Sequence, residues 1–78
     1  MNAAEAIREI ARNAGKSFTV LARDEGVAPQ TVQKRLRGDG LGFTVGTLCK
    51  MLDALDYELA TLPKGSDLPE GSYKVDGL

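Results

Sequence analysis

Apolar residues return every three or four positions at Ala3, Ala6, Ile7, Ile10, Ala11 and Ala14. That spacing predicts an amphipathic helix, with Asn2 as its N-cap and Gly15 as its stop. Ser17 is a good N-cap for a second, shorter helix whose inward face is Phe18, Leu21 and Ala22. It ends at about Glu25, because Gly26 accepts the left-handed backbone that closes a helix. Pro29 suits the first turn of a third helix, where a missing N–H matters least. This helix spans about residues 29–37. Val32 and Leu36 face inward, and Gln30, Thr31, Gln33, Lys34 and Arg37 are left outside. Gly38 to Gly42 is a turn, after which Leu41 and Phe43 tuck back onto the core. Thr44 caps a fourth helix with an inward face of Val45, Leu48, Cys49, Leu52 and Leu55, ending at about Leu55 or Asp56.

Tyr57 to Leu62 changes period. It alternates in part, carries β-formers and stops at Pro63, which predicts a strand. A lone strand leaves a row of unpaired backbone groups, so it needs a partner. Two are open: Ser72 to Asp76 of the same chain, through a hairpin with a long loop, or the same strand of a second subunit. Residues 63–78 are rich in Pro, Gly, Ser and Asp and read as a flexible tail or a short hairpin return, onto which Tyr73 and Val75 offer docking points. No internal repeat is expected. The chain divides into a helical domain with its strand, 1–62, and the tail, 63–78.

Composition narrows the chemistry. The 78 residues include no His and one Cys, and the net charge is −1. One small domain is the prior at this length, with modest burial unless a second subunit adds to it. A zinc site of the usual ligands is excluded, and Ser17 and Ser66 have no imidazole to activate them. Asp24 and Glu25 are adjacent on a helix, diverge in direction, and read as a solvated face. The Gly38–Gly42 run lacks the Lys-Ser/Thr of a phosphate loop. No catalytic, metal or cofactor site is therefore expected, and the chain is read as no enzyme. A single cysteine suits a reducing cytoplasm, and neither a secretory signal nor a membrane span is expected.

The slight negative charge argues weakly against nucleic acid, but its distribution argues for it. Between Gly26 and Gly38 the only charged residues are Lys34, Arg35 and Arg37. A basic stripe on a near-neutral body is an electrostatic footprint for phosphate. A short helix, a glycine turn and a second helix with a polar outer face constitute a helix-turn-helix. Its second helix is suited to a major groove, where Gln pairs with adenine and Lys or Arg with guanine.

Leu21–Ala22, then Gly26–Val27, then Thr31–Val32, with the later Leu48, Leu52 and Leu55, resemble the lambda-repressor/Cro-like (XRE) family of helix-turn-helix proteins. The resemblance covers about Ala3 to Leu62. Two departures stand out: Phe18 where the family often has a phosphate-touching Gln, and Arg35 where many members are apolar. Leu52 to Pro63 is similar to the last helix and terminal strand of HipB-type antitoxins, in which the strand pairs with its symmetry mate. The resemblance implies a mainly α, lambda-repressor-like fold of about four helices with a C-terminal β-strand that pairs in a dimer. It implies a sequence-specific, double-stranded-DNA-binding repressor, with antitoxin action on a toxin protein as a narrower form. The alternative is a protein-interaction module without DNA.

Ser17, Thr19, Pro29, Gln30, Thr31, Gln33, Lys34, Arg37 and Thr44 are the expected DNA-binding residues. Gln30 and Gln33 are read as base contacts, and Lys34 and Arg37 as phosphate contacts. Thr44 is first a cap, whose helix N-terminus then meets a phosphate. Arg35 is open between a phosphate contact and an ion pair with Asp39. Tyr57, Leu59 and Thr61 are expected at a homodimer interface. A dimer would set two recognition helices about 34 Å apart, one turn of DNA. Cys49 is read as a small core residue, as is Phe18.

Overall fold

The computed structural model describes residues 1–37 and 44–76. Among them are four α-helices: α1 (Ala3–Asn13), α2 (Phe18–Glu25), α3 (Pro29–Arg35) and α4 (Val45–Ala54). The protein is mainly helical. The expected tucking of Leu41 and Phe43, and the Asp39 alternative for Arg35, lie outside the described residues.

α1, α2 and α4 start where the sequence supplies a side-chain cap. Asn2 Oδ1 accepts the Glu5 amide at 2.8 Å, and Glu5 Oε1 accepts the Asn2 amide at 3.1 Å. This capping box satisfies two donors at once. Ser17 Oγ accepts from Val20 N at 3.2 Å, and Thr44 Oγ1 from Thr47 N at 3.1 Å. α3 lacks a side-chain cap and starts instead on Pro29.

Three helices end by one device. After α1, the Lys16 amide reaches the Ala11 carbonyl at 2.9 Å and the Gly15 amide reaches Arg12 at 3.1 Å. After α2, Val27 reaches Ala22 and Gly26 reaches Arg23. After α4, Tyr57 reaches Leu52 and Asp56 reaches Asp53. The pairs of bonds absorb the last free carbonyls and require one left-handed residue. Gly15 and Gly26 supply it at φ +70° and +81°; Asp56 does so without being glycine, at φ +60°.

One apolar cluster joins the helices. It comprises Ala3, Ala4, Ile7, Ile10 and Ala11 of α1, Leu21 and Ala22 of α2, Val32 and Leu36 at α3, and Leu48, Met51, Leu52 and Leu55 at α4. α2 packs against both α3 and α4, and α1 against α4. Ala22 is fully buried, as a close crossing of helices requires. Phe18 and Val27 are half-buried at the edge.

The stripe on α4 differs from the expected one. Val45 is 57% exposed and Cys49 is exposed, whereas Met51 is fully buried. The buried positions 48, 51, 52 and 55 form one helical stripe; Val45 and Cys49 lie on its flank. Cys49 is therefore a surface thiol. On α1 the buried set gains Ala4, and Ala14 is exposed. α3 ends at Arg35, so Arg37 lies beyond it.

Among the described residues no β-strand is formed. Tyr57 to Leu62 leaves the helical body as an exposed segment without regular structure. The cis hairpin is not formed: the residues expected to pair with it run along the start of the chain. Asp76 N donates to Met1 O at 2.9 Å, and the Met1 ammonium donates to Lys74 O at 3.3 Å. Tyr73 and Val75 pack against the apolar cluster, and Tyr73 Oη accepts from Asn13 Nδ2 at 2.8 Å. Docking of these two side chains buries apolar surface.

The tail contains a repeat. Leu62-Pro-Lys-Gly-Ser-Asp67 is followed directly by Leu68-Pro-Glu-Gly-Ser-Tyr73. Each copy forms a turn: Ser66 N donates to Pro63 O and Ser72 N to Pro69 O, both at 3.1 Å. Gly65 and Gly71 stand at φ +83° and +81°, as the third position of a type II turn demands.

Candidate nucleic-acid interface

α3 divides by face. Val32 and Leu36 are buried, and Gln30, Gln33, Lys34 and Arg37 are exposed. Positions 30, 33 and 34 are neighbours on one side of a helix, and Arg37 follows just past its end. Pro29 and Thr31 are half-buried at the flanks. Lys34 and Arg37 make no ion pair among the described residues. No acidic residue lies on α3, so the exposed face carries only amides and positive charge.

The expected contacts from other elements are at helix starts. Ser17 and Thr44 are exposed N-caps of α2 and α4, and Thr19 is exposed in the first turn of α2. Neither helix has an acid in its first turn. Their free amides and dipoles therefore favour an anion. Each hydroxyl oxygen already accepts an amide, so its hydrogen is what remains to give; that of Thr44 goes to Thr47 Oγ1 at 2.9 Å.

Several polar residues that hold this arrangement went unread in the sequence. Arg8 of α1 donates through Nη1 to the Leu36 carbonyl and so caps the end of α3. Lys16 Nζ donates to Asp24 Oδ2 at 3.0 Å and to the Ala54 carbonyl at 2.9 Å, joining α2 to the end of α4. Arg35 turns back to α2 and meets Glu25 Oε1 at 2.7 Å. The solvated reading holds for Asp24, which is exposed while pairing with Lys16, and is corrected for Glu25, whose side chain is only 5% exposed. Arg35 is drawn inward by that buried carboxylate. The bonds of Arg8 and Arg35 cross from one helix to another, and those of Lys16 run from the α1–α2 connection to α2 and to the end of α4, so no helical period announces them.

An open groove lined by Glu5, Arg8, Glu9, Arg12 and Lys16 lies between α1 and the start of α2. Its charges are mixed, and Arg12 pairs with Glu9. Among the described residues no group of His, Cys, Asp and Glu is placed to hold a metal ion, and no helix is long and apolar enough to cross a membrane. Tyr57, Leu59 and Thr61, the expected dimer contacts, are exposed on the segment after α4. Comparison with protein families, with curated proteins and with solved structures finds no match for this chain.

Proposed function

We propose that this protein is a sequence-specific DNA-binding regulator, a repressor that inserts α3 into the major groove. One observation carries the reading. α3 exposes Gln30, Gln33 and Lys34 on one side, with Arg37 after them, and holds Val32 and Leu36 in the core. Gln30 and Gln33 read base edges, adenine by preference. Lys34 and Arg37 neutralise phosphates, which also steer the protein to DNA. The α2 and α4 N-termini at Ser17 and Thr44 hold the flanking backbone. The α2–turn–α3 unit is then a lambda-repressor-like helix-turn-helix. Tyr57 to Leu62 becomes a strand on pairing with its mate in a second copy, giving a two-fold dimer and a palindromic site.

Fluorescence anisotropy with DNA from upstream of the protein's own gene, beside unrelated DNA, tests this at several salt concentrations. Preference for the upstream DNA, with affinity falling steeply as salt rises, is the expected result. Absence of binding to any DNA at low salt overturns it.

A second reading draws on the exposed apolar residues Tyr57, Leu59, Leu62 and Leu68. They follow α4 on one stretch of chain, as a docking arm for a protein would. In this reading the protein is an antitoxin that engages a toxin protein through the arm and regulates its own operon through α3. A toxin encoded beside it, co-purifying with the full chain but not with a chain cut after Leu55, is the expected result. A pure interaction module would bind its partner with an affinity insensitive to salt.

A further inference from the structure

We propose that Glu25, through Arg35, is a positioning residue that sets the angle of α3 on α2 and thereby the discrimination of base sequence. This rests on the DNA-binding reading.

α3 has seven residues, too short to be stable or oriented by itself. Its first end is fixed by the turn at Gly26–Ala28. Its last end is held by the buried Leu36, by Arg8 on the Leu36 carbonyl and by Arg35 on Glu25. Glu25 and Arg35 are the last residues of α2 and α3. Their bond therefore runs back across the turn and closes the angle between the two helices. Val32 and Leu36 already press α3 onto α2 through the core, and the pair adds a directional bond to that packing.

The Glu25 side chain is 5% exposed and that of Arg35 27%. An ion pair drawn partly out of water is commonly no better than apolar residues of the same size, since desolvation offsets attraction. Here the balance is worse, because Glu25 Oε2 is buried and has no hydrogen-bond partner among the described residues. An orphaned buried oxygen costs free energy. What an apolar pair lacks is direction. A carboxylate and a guanidinium meet in a narrow range of geometries, so the pair fixes how α3 lies as well as that it packs. Base reading is sensitive to such placement, because bidentate contacts tolerate little displacement. Phosphate contact by a flexible Lys tolerates more.

The test uses the full chain as wild type, as Glu25→Gln, and as the double variant Glu25→Leu/Arg35→Leu. The DNA probes are the tightest duplex selected by wild type from a randomised pool and a scrambled duplex of equal length. Residual dipolar couplings of the DNA-free proteins report the α2–α3 angle. The double variant is expected to unfold at or above the wild-type temperature. Its preference for the selected duplex should nevertheless fall about tenfold, the worth of one bidentate base contact, with a changed or averaged α3 orientation. Glu25→Gln should shift both readouts in the same direction. A double variant that keeps the wild-type angle and preference overturns the proposal. If wild type prefers no duplex, the regulator reading fails by itself, and the couplings still decide. An altered angle upholds the positioning role of Glu25, and an unaltered one overturns it.

Discussion

Asp56 holds a left-handed backbone that elsewhere among the described residues is given to glycine. That conformation costs an L-residue about 1–2 kcal/mol, and glycine loses about 0.5–1 kcal/mol more than other residues on being ordered. The difference predicts that Asp56→Gly stabilises the protein by roughly 0.5 kcal/mol, read as a higher denaturant midpoint with an unchanged slope. Cys49 makes a second residue-level prediction. As the sole thiol, exposed on α4, it should react with a thiol reagent at nearly the same rate in native and unfolded protein. Protection that grows with protein concentration would place α4 at an interface between copies. Both features show what a single residue's neighbourhood in sequence conceals. Val45, Leu48, Cys49, Met51, Leu52, Ala54 and Leu55 cover a wide arc of one helix. Only the positions of α1 and α2 decide which part of the arc is the core.

At the level of the element, the helix boundaries were legible because their causes are local. Asn2, Ser17, Pro29 and Thr44 open helices, and Gly15 and Gly26 close them, through contacts within a few residues. The bonds that fix the helices to one another are not local. Arg8 reaches 28 positions along the chain, Lys16 reaches 38 and Arg35 reaches 10, and no period connects such distances. The candidate site was legible on α3, where outward and inward positions follow from Val32 and Leu36. It was not legible in Glu25, which read as a surface acid until α3 covered it. For α3 itself, Gln33→Ala with Lys34→Ala should leave thermal unfolding within about 0.5 kcal/mol, since both residues are exposed. The same variant should lose about 1–3 kcal/mol of preference for its cognate duplex through Gln33. Its salt slope should fall by about one per bound subunit through Lys34. Titrations at several salt concentrations separate the two losses.

Over the whole molecule, the four helices form one cluster to which the tail returns. Tyr73 joins that return by packing, by its bond to Asn13 and by its ring, 6.0 Å from that of Tyr57. Tyr73→Ala should cost about 1–2 kcal/mol and loosen the tail backbone, so that trypsin cuts faster at the exposed Lys64 and Lys74 while the helical body resists. A tail that stays resistant would show that Val75 and the Met1 contacts suffice. The tail thus closes a loop: Tyr57 Oη donates to the Gly71 carbonyl, 14 positions on, at 3.2 Å. Between Tyr57 and Tyr73, whose rings also meet, lie the two turns of the six-residue repeat, one after the other. A repeat gives a loop a quantum of length. Removing residues 62–67 deletes one whole turn and returns a leucine, a proline and a glycine to the places just vacated. The shorter ring closes at an entropic saving of about 0.5 kcal/mol, so the deletion should leave the fold as stable as before or slightly more so. A deletion of three residues, which cuts a turn in half, should not. The girth of this arm can therefore change in steps of six residues, while the body it is tied to stays the same.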